Sequence, residues 1–145
     1  MTKRYLLSLL LLIPAASLLA QAPKKLPLDG KKFTAEIMEE GKKKPLDPDD
    51  LSFNMGKFKS ALFVDWGYNK GGKYEVTKID STTTEGVKIY SWVVDLTNEG
   101  DEKLAWSGTV SGEDIEGTIE LINKKGQTKK NYNFSGKMKK KAGQK

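Results

Sequence analysis

The chain has 145 residues, of which 25 are Lys or Arg and 19 are Asp or Glu, so its formal charge is +6. It contains no Cys and no His. Disulfides, thiolate nucleophiles, cysteine zinc sites, Ser-His-Asp triads and imidazole bases are therefore excluded. Because most common catalytic constellations are absent, the composition favours a non-enzymatic protein that needs no cofactor and no metal.

The first residues have the order of a secretory signal peptide. A positive start at Lys3 and Arg4 precedes an apolar run over 5–19, and small residues follow. The run is shorter than the ~20 residues that a spanning helix needs, and Pro14 interrupts it. The pattern predicts an exported protein, periplasmic or extracellular, with an uncleaved N-terminal anchor as the alternative.

Two cleavage sites compete. Cleavage after Ala22 satisfies the small-x-small pattern but leaves Pro23 at the new N-terminus, whereas cleavage after Ala20 avoids that. We expect cleavage after Ala20, so the signal peptide is 1–20. Its removal takes away two basic residues and no acid, so the formal charge falls by two.

The rest of the chain predicts one β domain. Residues 21–28 have the composition of a linker, 29–138 that of a barrel domain and 139–145 that of a disordered basic tail. Apolar and polar residues alternate in eight short segments separated by turn residues, with no sustained helical period. The segments are Lys32–Glu40, Leu51–Asn54, Lys57–Asp65, Lys73–Ile79, Gly86–Leu96, Lys103–Val110, Asp114–Ile122 and Lys130–Met138. This spacing predicts an all-β fold, a single antiparallel up-and-down eight-stranded barrel with little or no helix.

The outward faces of these strands do not suit lipid. Lys, Glu, Asn and Thr recur on the face opposite the apolar one, so an integral membrane barrel is disfavoured. The fifth segment is apolar on both faces, with Ile89 and Val93 on the outer one. The linker, a dimer partner or a binding surface are the candidates to cover it.

A repeated pattern places glycine on the apolar face of three strands. Gly108, Gly117 and Gly136 each stand between apolar residues two positions apart. A glycine there lets a strand coil sharply so that the sheet closes, and a neighbouring aromatic fills the space. The alternative is that the glycines leave room for a ligand. We favour the barrel-shaping interpretation.

The segment Leu28-Asp-Gly-Lys-Lys-Phe33 resembles the Gly-x-Trp start of lipocalin-like barrels, with Phe33 in place of Trp and displaced by one position. The layout from Leu28 to Met138 also resembles small secreted bacterial barrels of uncharacterised function. The shared features are the aromatic-x-Gly strand Trp106–Val110 and the hairpin that follows it. The resemblance implies a calycin-type fold and ligand carriage, and it transfers no binding residue.

Aromatic residues supply the first candidate site. If Trp66, Trp106, Tyr132 and Phe134 converge inside the barrel, they form an apolar pocket for a small, largely apolar ligand. Core filling is the alternative for each of them. Ligand carriage in the lumen is the function that the sequence favours.

Lysines supply the second candidate site. Lys124, Lys125, Lys129 and Lys130 surround one predicted turn, and this basic patch could bind an anionic envelope polymer, a lipid headgroup or a protein partner. The export signal disfavours nucleic acid as a partner. The alternative function is therefore an envelope interaction module with a filled core.

Acidic residues give the weakest indication. A pair of carboxylates could hydrolyse a glycoside, but nothing in the sequence brings Asp65 and Asp95 together. The run Asp47–Asp50 lacks the spacing of an EF-hand, so a solvated loop is expected.

Overall fold

The structure is a computed structural model that describes residues 25–81 and 86–140. The predicted signal peptide, its cleavage sites, the first part of the linker and the last five residues lie outside the described residues. In the described part of the chain, no helix is long and apolar enough to cross a membrane.

The described chain forms nine strands in one antiparallel sheet, together with one short helix. The elements are β1 Lys32–Glu39, β2 Asp49–Asn54, β3 Lys57–Ser60, α1 Ala61–Asp65, β4 Gly72–Lys73, β5 Glu75–Ser81, β6 Lys88–Thr97, β7 Lys103–Ser111, β8 Asp114–Ile122 and β9 Thr128–Met138.

The sheet is nearly closed into a barrel. Its strand order is β4-β3-β2-β1-β9-β8-β7-β6-β5, so consecutive strands pair along β1 to β4 and along β5 to β9, and β1 additionally pairs with β9. The two strands at the ends of this order, β4 and β5, are separated in the chain by Tyr74 alone. The predicted all-β antiparallel barrel is confirmed.

The count of nine strands arises because the predicted fourth strand exchanges partners at Tyr74. Its first part, β4, pairs with β3 and places Lys73 opposite Lys57. Its second part, β5, pairs with β6 and places Glu75 opposite Val93. One continuous segment therefore bonds to both sides of the sheet and brings them together. Side-chain alternation is the same along both parts, so the sequence pattern does not show the exchange.

The prediction that the third strand reaches Asp65 is wrong, because β3 ends at Ser60 and α1 follows. The Ser60 hydroxyl accepts a hydrogen bond from the Phe63 N–H at 3.3 Å, and the Asp49 carboxylate accepts one from the Leu62 N–H at 2.9 Å. These bonds satisfy donors at the start of the helix and so favour helix over strand. Phe63 is fully buried and covers one end of the barrel, which we call the α1 end.

A turn over residues 26–30 covers the opposite end, which we call the Met55 end after the β2–β3 turn located there. Leu28, assigned to the linker by its composition, is fully buried, and the Gly30 N–H donates to the Phe53 carbonyl at 2.7 Å. Lys139, assigned to the tail, donates its N–H to the Lys32 carbonyl at 2.8 Å. Both segments are thus bonded to the barrel wall.

The inward faces of the strands meet in one aromatic core. Ten aromatic side chains are at most 5% exposed, and their rings approach one another mostly edge to face. Such contacts add to the stability gained from burial of apolar area. The ten are Phe33, Phe53, Phe58, Phe63, Tyr68, Tyr74, Trp92, Trp106, Tyr132 and Phe134.

The three glycines lie where neighbouring strands come unusually close. A Cβ on Gly117 would lie 2.2 Å from the Ser107 carbonyl oxygen and 2.8 Å from the Phe134 ring. A Cβ on Gly108 would also meet that ring, at 2.9 Å, and one on Gly136 would lie 2.2 Å from the Thr34 carbonyl oxygen. These distances support the barrel-shaping interpretation, because an aromatic ring and backbone atoms already occupy the space.

We expect Gly117→Ala to destabilise the barrel by roughly 1–3 kcal/mol or more, because backbone atoms of β7 must move to admit the methyl group. Gly100→Ala is the matched control, since its Cβ would meet only the Asn98 side chain at 3.5 Å. Urea unfolding followed by tryptophan fluorescence measures both variants. Equal unfolding midpoints for the two variants would contradict the prediction.

Candidate functional site

Three of the four predicted lumen residues lie in the packed core. Trp106, Tyr132 and Phe134 are 1%, 2% and 3% exposed, and the rings of Trp106 and Phe134 are 5.0 Å apart. Tyr132 instead contacts Phe63, at 6.1 Å between ring centroids. The three side chains are therefore occupied by contacts with other rings of the chain.

Trp66 is separated from these residues. It follows the last residue of α1, is 48% exposed, and packs in a T-shaped arrangement with the Phe63 ring, with 4.9 Å between the ring centroids. The structure therefore does not bring the four predicted aromatics together around one space.

Sequence reasoning missed Phe53 and Phe58, which lie in the core of the barrel. Phe53 contacts Phe58 at 5.1 Å and Trp92 at 5.0 Å, and all three are at most 1% exposed. Phe53 and Phe58 are paired across the β2–β3 hairpin. Their equal distance from the Met55-Gly56 turn could have predicted this pairing, because a two-residue turn fixes the register.

Two polar atoms in this interior have no partner. The indole N–H groups of Trp92 and Trp106 are buried, and neither has a hydrogen-bond acceptor among the described residues. An unpaired buried donor costs roughly 1–3 kcal/mol. Both groups could therefore donate to an acceptor atom of a small molecule.

Asp29 joins the N-terminal turn to the β2–β3 hairpin. Its carboxylate accepts hydrogen bonds from the Gly56 N–H and the Tyr74 hydroxyl, both at 2.8 Å, and from the Leu26 N–H at 3.0 Å. Burial opposes ionisation of this carboxyl, but the three hydrogen bonds outweigh it and lower its pKa. Burial and the Asp29 carboxylate together raise the pKa of the Tyr74 phenol.

Asp49 joins β2 to the start of α1. It is fully buried and accepts hydrogen bonds from the Ser60 hydroxyl and the Leu62 N–H. Burial raises the pKa of this carboxyl, and the two hydrogen bonds offset only part of that effect. Its role is structural, since its partners hold the first turn of the helix.

The predicted basic patch lies at the α1 end and is partly neutralised. Lys129 lies 3.6 Å from the carboxylate of Glu102, and Lys130 lies 3.6 Å from that of Glu39. Lys124 and Lys125 are exposed in the β8–β9 turn. Half of the patch is therefore engaged in ion pairs.

A second group of lysines lies on the outer face of β1, β3 and β4, and sequence reasoning missed it. We call it the lysine face. Lys57 and Lys73 are directly opposed, and Lys59 and Lys32 flank Ser52 in the next cross-strand row. All four are exposed, and none lies within 4.0 Å of a carboxylate in the described chain. These four lysines come from separate segments of the chain, so no run of lysines in the sequence indicates this group.

The acid on the neighbouring strand β2, Asp50, already has a partner. The Asp50 carboxylate lies 2.8 Å from the Lys139 amine and also accepts a hydrogen bond from the Thr34 hydroxyl. Its charge is thus balanced by a fifth lysine. The four cations of the lysine face consequently remain available to an external anion.

The β2–β3 turn presents an exposed methionine beside the lysine face. Met55 is 84% exposed and has a φ of 50°, next to Gly56 with a φ of 77°. A turn with two positive φ values favours Asn or Gly at its first position, whereas other L-residues are strained there. Met55 therefore costs stability through its backbone conformation, and its side chain gains nothing from burial.

The two acids that the sequence singled out, Asp65 and Asp95, lie on different elements. Asp65 is exposed at the end of α1, and Asp95 lies on β6 at 3.8 Å from the Lys103 amine. Glu36 and Glu116 lie on either side of Ser135 in a cross-strand row over an open depression. Across the described residues, no cluster of three or more acidic side chains could hold a metal ion.

Comparison with known proteins finds no relative. No protein-family model matches the chain, and neither a curated protein nor a solved structure matches it. The lipocalin-like resemblance consequently stays a prediction.

We expect Asp29→Asn to destabilise the protein by about 1 kcal/mol at pH 7, because a charge-assisted set of hydrogen bonds is lost. The pKa of Asp29 is lowered on folding, so its contribution is present above the ordinary value of 3.8 and is lost as the pH falls below it. Urea unfolding of both proteins between pH 3 and pH 7 measures the difference. A constant difference across that range would contradict the assignment.

Asp49→Asn should show the opposite pH dependence. Because folding raises the pKa of Asp49, the wild-type protein loses stability relative to the variant as the pH rises above 3.8 towards the folded-state pKa. The same unfolding series measures it. If the wild-type protein instead gains on the variant with rising pH, the buried carboxyl is not held in its protonated form.

Proposed function

We propose that the protein is an exported, non-enzymatic binding module. Its barrel is filled by its own side chains, and it binds an anionic partner of the cell envelope through lysines on its outer surface. The observation that carries this proposal is the opposed pair Lys57 and Lys73, which have no carboxylate within 4.0 Å in the described chain.

Two like charges directly opposite on antiparallel strands destabilise a sheet. A sequence that keeps such a cost without a neutralising acid is best explained by an external partner, because function is where local rules of stability are broken. A shortage of acidic residues does not explain this, because the chain contains 19 of them. Several of these acids pair with lysines elsewhere on the barrel.

The packed interior supports surface binding over carriage. Ten aromatic side chains occupy the core, α1 covers one end of the barrel, and the 26–30 turn covers the other. A lumen ligand would have to displace rings that contact each other at about 5 Å.

A small-molecule carrier is the second candidate function. The unpaired indole N–H groups of Trp92 and Trp106 favour it, because acceptor atoms on a largely apolar ligand would offer them hydrogen-bond partners. Such a ligand would require Phe53 or Phe58 to move, since both rings lie about 5 Å from a tryptophan ring.

Native mass spectrometry of the protein purified gently from its own cells separates the two functions. We expect a mass equal to that of the polypeptide alone, because the core is filled. A reproducible small-molecule adduct that leaves on unfolding would overturn the filled-core proposal and would identify the class of carried ligand.

Binding to dextran sulfate tests the electrostatic part of the proposal. We expect the affinity to fall by roughly tenfold or more as sodium chloride rises well above physiological concentration, since exposed charges are screened within a Debye length. Unsulfated dextran of the same length is the control polymer. Absence of binding at low salt, or binding that does not depend on salt, would refute attachment through exposed lysines.

A further inference from the structure

We infer that the Met55 end is a membrane-docking surface, on which the lysine face binds anionic lipid headgroups and Met55 inserts into the bilayer interface. The inference rests on the proposed function and names its partner. It depends on three features that occur together in the β2–β3 hairpin: an exposed apolar tip, a strained backbone at that tip, and unpaired cations beside it.

The apolar tip is isolated and projects into solvent. Met55 stands at the centre of a two-residue turn, 84% exposed, and its neighbours Asn54 and Lys57 are polar. A methionine side chain is flexible and apolar, so it can enter the boundary between headgroups and acyl chains.

The strain at the tip argues that Met55 is there for a purpose. Asn or Gly at this position would tolerate the positive φ with less strain and would remove an exposed apolar side chain. Strained residues persist where function requires them. The lysine face repeats this pattern, because its opposed lysines also cost stability.

The cations are placed to follow the tip onto an anionic surface. Lys57 lies next to Gly56 on β3, and its cross-strand partner Lys73 lies on β4. Lys59 lies one row further from the tip. Each lysine near a bilayer of anionic lipid contributes about fivefold to binding, so three contribute roughly a hundredfold.

Asp29 keeps the tip in position. Its carboxylate accepts the Gly56 N–H, and its other bonds hold the Leu26 N–H and the Tyr74 hydroxyl. The turn is therefore fixed to the 26–30 segment and to the residue at which β4 gives way to β5. A rigid tip loses little conformational entropy when it inserts.

A lipid bilayer fits this surface better than a soluble polyanion does. A sulfated or phosphorylated polymer would use the lysines and gain nothing from Met55, whereas a bilayer uses both. The effect of Met55 on binding consequently distinguishes the two partners.

Sedimentation with vesicles tests the inference on the full chain. The vesicles contain phosphatidylcholine with about one-third phosphatidylglycerol, and pure phosphatidylcholine vesicles are the control. We expect binding to the anionic vesicles alone. The triple variant Lys57→Gln, Lys59→Gln, Lys73→Gln should bind roughly a hundredfold more weakly, while Lys124→Gln, Lys125→Gln at the α1 end should bind as the wild-type protein does.

Met55→Asn is the decisive variant, because stability and binding should move in opposite directions. Asn tolerates a positive φ, so the variant should unfold at a higher urea concentration than the wild-type protein. Its binding to anionic vesicles should fall roughly tenfold, and its binding to dextran sulfate should not change. A loss of binding in a more stable protein cannot come from misfolding.

The absence of cysteine allows a direct measurement of insertion. An environment-sensitive fluorophore on Met55→Cys should shift to the blue with anionic vesicles, whereas the same label on Lys124→Cys should not. If vesicle binding is unaffected by Met55→Asn and the label at 55 stays in water, the bilayer inference fails while the proposed function stands. If neither vesicles nor dextran sulfate bind, the proposed function fails as well.

Discussion

The exchange of strand partners at Tyr74 is the constraint on which the rest of this barrel depends. β4 and β5 are one continuous segment, yet they pair with β3 and with β6, the strands on opposite sides of the gap. Without that exchange the sheet would have two open edges. With it, the inward aromatics are enclosed on all sides, and the two ends need only a short helix and a turn to cover them.

Two carboxylates, one buried and one half-buried, hold α1 and the 26–30 turn in place at the two ends of the barrel. They have opposite effects on how stability depends on pH. Asp49 accepts hydrogen bonds at the start of α1, and its complete burial favours the protonated form of its carboxyl. Asp29 joins the 26–30 turn to the β2–β3 hairpin through three hydrogen bonds, which favour the charged form of its carboxyl. The two ends of the barrel therefore respond in opposite senses to acid, although both are held by an aspartate.

The sequence predicted the barrel well because period-two alternation and turn residues report directly on strands. The segments of β7 and β8 start where the structure starts them, at Lys103 and Asp114. The prediction from sequence was wrong where hydrogen bonds between distant residues determine the local structure. The helix after Ser60 depends on Asp49, and the partner exchange at Tyr74 depends on β3 and β6. Local propensity reports neither of these interactions.

The candidate sites were predicted less well, for a related reason. Runs of lysine in the sequence drew attention to Lys124 and Lys130, whereas the lysine face is assembled by pairing of β1, β2, β3 and β4. Among the aromatics, Trp66 and Trp106 looked equivalent in the sequence. They differ because Trp106 lies on an inward position of β7 and Trp66 follows the last turn of α1.

The pairing of β1 with β9 has a consequence for how this chain acquires its structure. Phe33 stands opposite Met138, so the first described strand and the last one complete each other. Contacts between residues so far apart in the chain slow folding, because a long loop must close before they form. Until β9 is in place, β1 and β8 both present unpaired strand edges, and a chain truncated before β9 would be prone to aggregate through them.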